Sequence, residues 1–254
     1  MFEFSRLGRP SGVVRASWRR QVAAAGGAGL LAAAAVLAGA GTAAASLTGA
    51  GVVPSHIYWD NQGDATINEA NLDGTSPHTL ITGRPSLEGV AVNRSHIYWA
   101  NFHNDQIRKA DLAGTGEHVI VTGQTSPTGV AVDSSHIYWA NDSGGTINEA
   151  NLDGSGVTIL VTGQQDPTGV AVNSSHIYWA NFGSGTINEA NLDGTSPQTI
   201  VTGQSEPAGV AVNSSHIYWA NFGSGTIHEA NLDGTSPHAI VTGLSKPVGV
   251  AVGG

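Results

Sequence analysis

A chain of 254 residues with no cysteine and a formal net charge of −9 cannot rest on disulfides and is poorly matched to a polyanionic partner. Past residue 45 there remain five basic and eighteen acidic residues, a net of −13. A surface that acidic repels phosphate backbones and anionic lipid, so no nucleic-acid partner is expected.

The first segment is a different polymer from the rest. Arg6, Arg9, Arg15, Arg19 and Arg20 precede residues 22–40, which are all Ala, Gly, Val or Leu, and Ala43-Ala44-Ala45 then meets Ser46. Basic, apolar and small-residue segments in that order form a signal peptide, with cleavage expected after Ala45. Arg19-Arg20 sits where a twin-arginine signal places its pair. The competing reading is an uncleaved anchor, since about nineteen apolar residues can just span a bilayer. Alanine and glycine supply little transfer energy, so cleavage, secretion and no lasting membrane span are the expectation. Residues 1–45 are thus a signal peptide and 46–254 one domain.

That domain is a tandem repeat. Tyr58-Trp59, Tyr98-Trp99, Tyr138-Trp139, Tyr178-Trp179 and Tyr218-Trp219 recur every 40 residues without insertion or deletion. Within the unit from Pro167 to Gly203, Gly169-Val170-Ala171-Val172 is a short apolar run between Pro167 and the turn residues Asn173-Ser174-Ser175, hence strand A. Strand B, His176 to Ala180, carries Ile, Tyr and Trp without alternation, a pattern expected where both faces are covered. Asn181-Phe182-Gly183-Ser184-Gly185 breaks it, strand C follows from Thr186 to about Leu192, and Asp193-Gly194 turns into strand D, Gln198 to Thr202. Several glycines, one or two prolines and β-branched runs per unit are hostile to paired helices. Four short strands in about forty residues is the size of one propeller blade.

Tyr-Trp-Ala-Asn (Tyr-Trp-Asp-Asn at Tyr58 to Asn61), then Ile-x-Glu-Ala-Asn-Leu-Asp-Gly and Pro-x-Gly-Val-Ala-Val, resembles the class B, or YWTD, repeat of low-density-lipoprotein-receptor-type propellers. The second unit departs most, reading Gln106-Ile107-Arg108-Lys109-Ala110-Asp111-Leu112-Ala113-Gly114, and every unit has Asn for the family's final Asp. The resemblance implies a propeller used for protein interaction. A looser similarity, mainly in Pro-x-Gly-Val-Ala-Val, extends to streptogramin-lyase-like propellers and admits an enzyme.

YWTD propellers have six blades, yet five Tyr-Trp units are present. Gly249-Val250-Ala251-Val252 is a good copy of strand A, whereas Gly49 to Val53 ahead of the first unit is not. The fold expected is therefore an all-β propeller of five four-stranded blades, closed by the terminal strand pairing into the first blade so that no edge is left open. The alternative is an incomplete six-blade ring.

Residues repeated five times are most simply fold-makers, so function is sought where the copies disagree. His56, His96, His136, His176 and His216 are spread around a ring and do not converge as metal ligands must. A lone Asp in each Asp-Gly turn falls short of a calcium site. Asn93, Asn141, Asn173 and Asn213 begin Asn-x-Ser sequons but are also turn residues. The units differ in the B–C loops: Gln62 to Ala65, Phe102 to Asp105, Asp142 to Gly145, and two copies of Phe-Gly-Ser-Gly. Phe102, His103, Asp105, Arg108, Phe182 and Phe222 are the candidate ligand-binding residues on this face. The competing role for each Phe is packing between blades. No catalytic residue, metal or cofactor is assigned. The functional expectation is a secreted, monomeric, non-catalytic binder of a protein or carbohydrate ligand. The alternatives are a streptogramin-lyase-like or lactonase-like enzyme, and a lectin with one sugar site per blade.

Overall fold

The computed structural model describes residues 56–252. The proposed signal peptide and residues 49–53 lie outside the described residues. Nineteen strands form five antiparallel sheets in a ring, a five-bladed β-propeller. Blade 1 comprises β1 (His56–Asn61), β2 (Thr66–Asn71) and β3 (His78–Ile81). Blade 2 comprises β4 (Leu87–Val92), β5 (His96–Asn101), β6 (Gln106–Asp111) and β7 (His118–Val121). Blade 3 runs β8 (Pro127–Val132), β9 (His136–Asn141), β10 (Thr146–Asn151) and β11 (Thr158–Val161). Blade 4 runs β12 (Pro167–Val172), β13 (His176–Asn181), β14 (Thr186–Asn191) and β15 (Gln198–Val201). Blade 5 runs β16 (Pro207–Val212), β17 (His216–Asn221), β18 (Thr226–Asn231) and β19 (His238–Val241). The strands expected from the fourth unit match β12 to β15 within about two residues.

Strand B is apolar throughout because both its faces are covered. Ile137, Tyr138, Trp139 and Ala140 are all fully buried. Tyr138 lies in the cluster with Val170, Ile177 and Trp179 of blade 4, while Trp139 lies in the cluster with Tyr98 and Ile107 of blade 2. Strands β5, β9 and β13 thus send Tyr toward the following blade and Trp toward the preceding one, while β1 contributes Tyr58 and β17 Trp219 to the end seams. Four such clusters fill the seams 1/2, 2/3, 3/4 and 4/5.

The inner strands β4, β8, β12 and β16 pack on one another in succession about the axis. They approach so closely that side chains are excluded: a Cβ on Gly129 would stand 2.3 Å from the Thr168 carbonyl oxygen, and one on Gly169 2.4 Å from that of Ala208. Thr128 and Thr168 donate across the same step, to the carbonyls of Thr168 and Ala208 at 3.1 and 3.0 Å.

The five-blade count stands, but the expected closing ladder is not formed among the described residues. Residues 249–252 carry no strand, and β1 is bonded to β2 alone, so blade 1 has three strands there. The terminal segment does take the next inner position: a Cβ on Gly209 would meet the Val248 carbonyl oxygen at 2.5 Å and the Gly249 Cα at 3.0 Å. Leu244 stands there where Gln124, Gln164 and Gln204 stand ahead of units three to five, so this seam has no such polar side chain.

The A–B turns account for the recurring Asn and His. Asn173 Oδ1 accepts from the backbone N–H of Ser175 and His176 at 2.9 and 2.8 Å, and its Nδ2 donates to the Tyr178 hydroxyl at 3.3 Å. The His176 ring then lies against Tyr178, centroids 6.1 Å apart. In the Asp-Gly turns the carboxylate accepts from the N–H and hydroxyl two residues on, as Asp193 does from Thr195 at 2.9 and 2.6 Å. Those bonds hold the Asp193 carboxyl below the ordinary carboxylate range.

Candidate functional site: the B–C loop face

The B–C loops of blades 2 to 5 are each tied to the chain entering their own blade. The Phe102 N–H donates to the Ser86 carbonyl at 2.9 Å, Asp142 to Ser126 at 3.0 Å, Phe182 to Asp166 at 3.0 Å and Phe222 to Glu206 at 3.1 Å. These acceptors, Ser86, Ser126, Asp166 and Glu206, with Lys246 after them, all have positive φ, between 51° and 64°. Four of the five precede proline, where an extended backbone is the usual choice, so the conformation is held against local preference. They form a ring beside the loops whose identity changes around the disc: Ser, Ser, Asp, Glu, Lys. The sequence signal was a variable residue ahead of a nearly constant Pro-x-Gly-Val-Ala-Val, with Leu87 for Pro in unit two, and reading the loops alone missed it.

The candidate residues divide into two groups. Phe182 and Phe222, from neighbouring blades, have ring centroids 6.0 Å apart, and the Lys246 ammonium lies 5.2 Å over the Phe222 ring. Phe182 is partly exposed whereas Phe222 is buried, so one rim ring faces outward and the other supports it. Phe102 meets the exposed His103 edge-on at 5.2 Å, and His103 Nδ1 is bonded to Ser86 Oγ. Asp105 sits at the loop end with φ 56°, accepting from Gln124 N at 3.0 Å through its carbonyl and from Ser126 N at 3.0 Å through Oδ1. It therefore ties blade 2 to blade 3. Where units two, four and five place Phe, and unit one Gln62, blade 3 places Asp142, which is buried.

Arg108 is drawn away from the loops along β6. Its Nε donates to Glu117 Oε1 at 2.9 Å and its Nη1 to Gln106 Oε1 at 2.9 Å. Arg84 grips the same carboxylate through Nε and Nη2, both at 2.6 Å. Burial raises the Glu117 carboxyl pKa, but the Arg84 hydrogen bonds and the Arg108 charge outweigh it and hold the group below its ordinary range. Arg84, Arg108 and Glu117 all depart from the other units, and they satisfy one another.

The titratable groups displaced furthest lie in the seams. Burial, with the Glu189 charge, pushes the Tyr178 hydroxyl up to about 12. The half-buried Asp60 carboxyl is pushed up to about 6 by burial. Among the described residues no group of three or more His, Cys, Asp or Glu is placed to hold a metal ion.

No protein-family model and no curated protein matches the sequence. Solved structures do. The chain is similar to one in the crystal structure of the nidogen/laminin complex, at 22% identity and a TM-score of 0.72, covering 78% of this chain and 81% of that one. It is similar to a streptogramin B lyase structure at 17% identity and TM-score 0.64, covering 79% and 70% of the two chains. Virginiamycin B lyase from Staphylococcus aureus matches at 13% identity and TM-score 0.63, over 78% and 71%. At these identities the likeness shows the fold. The chain is a β-propeller of YWTD-like repeats, and the two kinds of propeller that its repeat resembles are those the solved structures return.

Proposed function

We propose that the chain is an exported, non-catalytic binding propeller that presents its B–C loop face to a protein partner. The observation that carries this reading is the Phe182–Phe222–Lys246 cluster, an aromatic and cationic group at the rim on the face where the units differ most. The likeness to a chain of the nidogen/laminin complex supports it. Among the described residues no helix is long and apolar enough to cross a membrane. Residues 1–45 act as the signal, and amino-terminal sequencing of the mature protein is expected to start at Ser46.

To test the binding reading, a displayed random-peptide library is panned against the full chain and against Phe182→Ser/Phe222→Ser, with a glycan array in parallel. Selected peptides are expected to lose at least tenfold in capture on the double variant. Equal capture on both proteins sinks the reading, and binding confined to glycans transfers it to the lectin.

The likeness to two streptogramin-type lyases favours one rival. Incubation with quinupristin followed by mass spectrometry decides it, since any modified product makes the chain an enzyme.

A further inference from the structure

Three seams carry the same polar anchor, and the seam between blades 1 and 2 does not. Trp139, Trp179 and Trp219 donate through Nε1 to the Oε1 of Gln124, Gln164 and Gln204, each at 2.8 Å. The Nδ2 of Asn141, Asn181 and Asn221 donates to the same oxygen at 3.1, 2.9 and 2.9 Å. At the corresponding position unit two has Arg84, whose guanidinium is turned to Glu117. Arginine offers no side-chain acceptor. Trp99, at 0% exposure, is left with a buried indole N–H that has no partner; the buried Oδ1 of Asn101 has none either, but that it shares with Asn141, Asn181 and Asn221 of the anchored seams, so the indole N–H is what sets this seam apart.

We propose that Trp99 and Asn101 form a subsite for the side-chain carboxamide of a glutamine or asparagine on a peptide partner. The inference rests on the loop-face reading above and specifies one contact of it. A carboxamide is the group the three sister seams place against the same Trp and Asn. By that precedent its carbonyl accepts from Trp99 Nε1 and Asn101 Nδ2, and its NH2 donates to the Thr82 carbonyl, as Gln124, Gln164 and Gln204 donate to the carbonyls of Thr122, Thr162 and Thr202 at 3.2, 3.0 and 3.1 Å; a carboxylate has no hydrogen to donate there. The place is at loop level, because the backbone N–H of Arg84 donates to the Ala65 carbonyl at the end of the preceding B–C loop, 3.0 Å, as that of Gln124 does to Asp105. Of the side chains that fill the same place in later seams, Gln164 and Gln204 are partly exposed and Gln124 is 9% exposed, so the place lies just under the surface. Phe102 and His103 follow Asn101 directly, so an incoming side chain passes the odd loop of the odd unit.

The test uses the full chain with 15N-labelled tryptophan. The Trp99 indole resonance is identified by its loss in Trp99→Phe, and acetamide, acetate and methyl glucoside are titrated separately. Acetamide is expected to shift the Trp99 resonance saturably, leaving those of Trp139, Trp179 and Trp219 in place, and acetate to do far less. Arg84→Gln puts the chain's own carboxamide into the subsite and is expected to cut the response at least tenfold. Arg84→Ala loses the same Glu117 contact but leaves the subsite open, so it keeps the response; a matched pair of melting curves shows that both variants fold. No acetamide response, an undiminished response in Arg84→Gln, or a response to methyl glucoside alone overturns the proposal, the last making the subsite a hydroxyl site. Retained capture of loop-face peptides by Arg84→Gln, with loss on Phe182→Ser/Phe222→Ser, sinks the subsite and leaves the loop-face reading intact.

Discussion

Single positions in this repeat differ in consequence according to what surrounds them in each unit, and Asp60 shows it best. The equivalent residues Ala100, Ala140, Ala180 and Ala220 are fully buried, whereas unit one carries a carboxyl that burial pushes up to about 6. A folded pKa above the unfolded value of about 3.9 means that ionisation opposes folding. The penalty is absent below the unfolded pKa, grows between the two values and is complete above about pH 6. Asp60→Ala is expected to raise the melting temperature at pH 7.5 and to change it little at pH 3.5; equal gains at both pH values would show that the carboxylate charge is not the cause. Glu117 has the opposite sign. Its carboxyl is held below the ordinary range by Arg84 and Arg108, so its contribution is present at neutral pH and fades as pH falls through the lowered pKa. Glu117→Gln should therefore destabilise at pH 7 and lose that effect in acid. The sister anchors offer a further check: Gln164→Leu strands the Trp179 indole N–H as Trp99 is stranded, and is expected to cost about 1–3 kcal/mol in denaturant titration.

At the scale of the strand, the inner and second strands divide the labour of making a blade. Strand A is thin because its neighbour's backbone lies against it, and strand B is thick because it fills a seam on either side. Gly169→Ala places a methyl 2.4 Å from the Ala208 carbonyl oxygen, a distance that demands movement of backbone, so it is expected to destabilise more than an ordinary surface substitution. Trp179→Ala empties a seam and is expected to cost about 3–5 kcal/mol. Both strands were legible from residue type alone, since Gly-Val-Ala-Val and Ile-Tyr-Trp-Ala are short apolar runs without alternation. The loops were legible only as places where copies diverge. Phe182 and Phe222 could be put on one face by counting strand directions, but their mutual contact, and Lys246 over the second ring, depend on blade rotation that no period reveals. Arg108 was misleading for the same reason: charge near a loop in sequence is drawn along β6 by Glu117, a partner nine residues on. The polar anchor of Gln, Trp and Asn repeats in three units but spans fifteen and seventeen residues, too far for local pattern to expose.

Across the whole molecule, stability is set seam by seam, because each blade touches only its neighbours, as in other repeat proteins. Four seams have a buried cluster, and among the described residues none joins blade 5 to blade 1. The same side chain therefore meets different surroundings in different copies. Val201, the last residue of blade 4, is 5% exposed beneath blade 5, while its equivalent Val241 is 42% exposed, with Ile240 and Leu244 exposed beside it. The same residue in equivalent strands, Gln-Thr-Ile-Val and His-Ala-Ile-Val, thus gives an internal control on what the seam contributes. Val201→Ala removes two buried methyl groups and opens a void that the rigid blades do not refill, for an expected cost of about 2 kcal/mol. Val241→Ala removes methyls already largely in water and is expected to stay within about 0.5 kcal/mol. Guanidinium unfolding of the two variants beside the parent protein measures both. Equal losses would mean that Val241 is covered in solution, and that the edge of blade 5 finds a partner surface there.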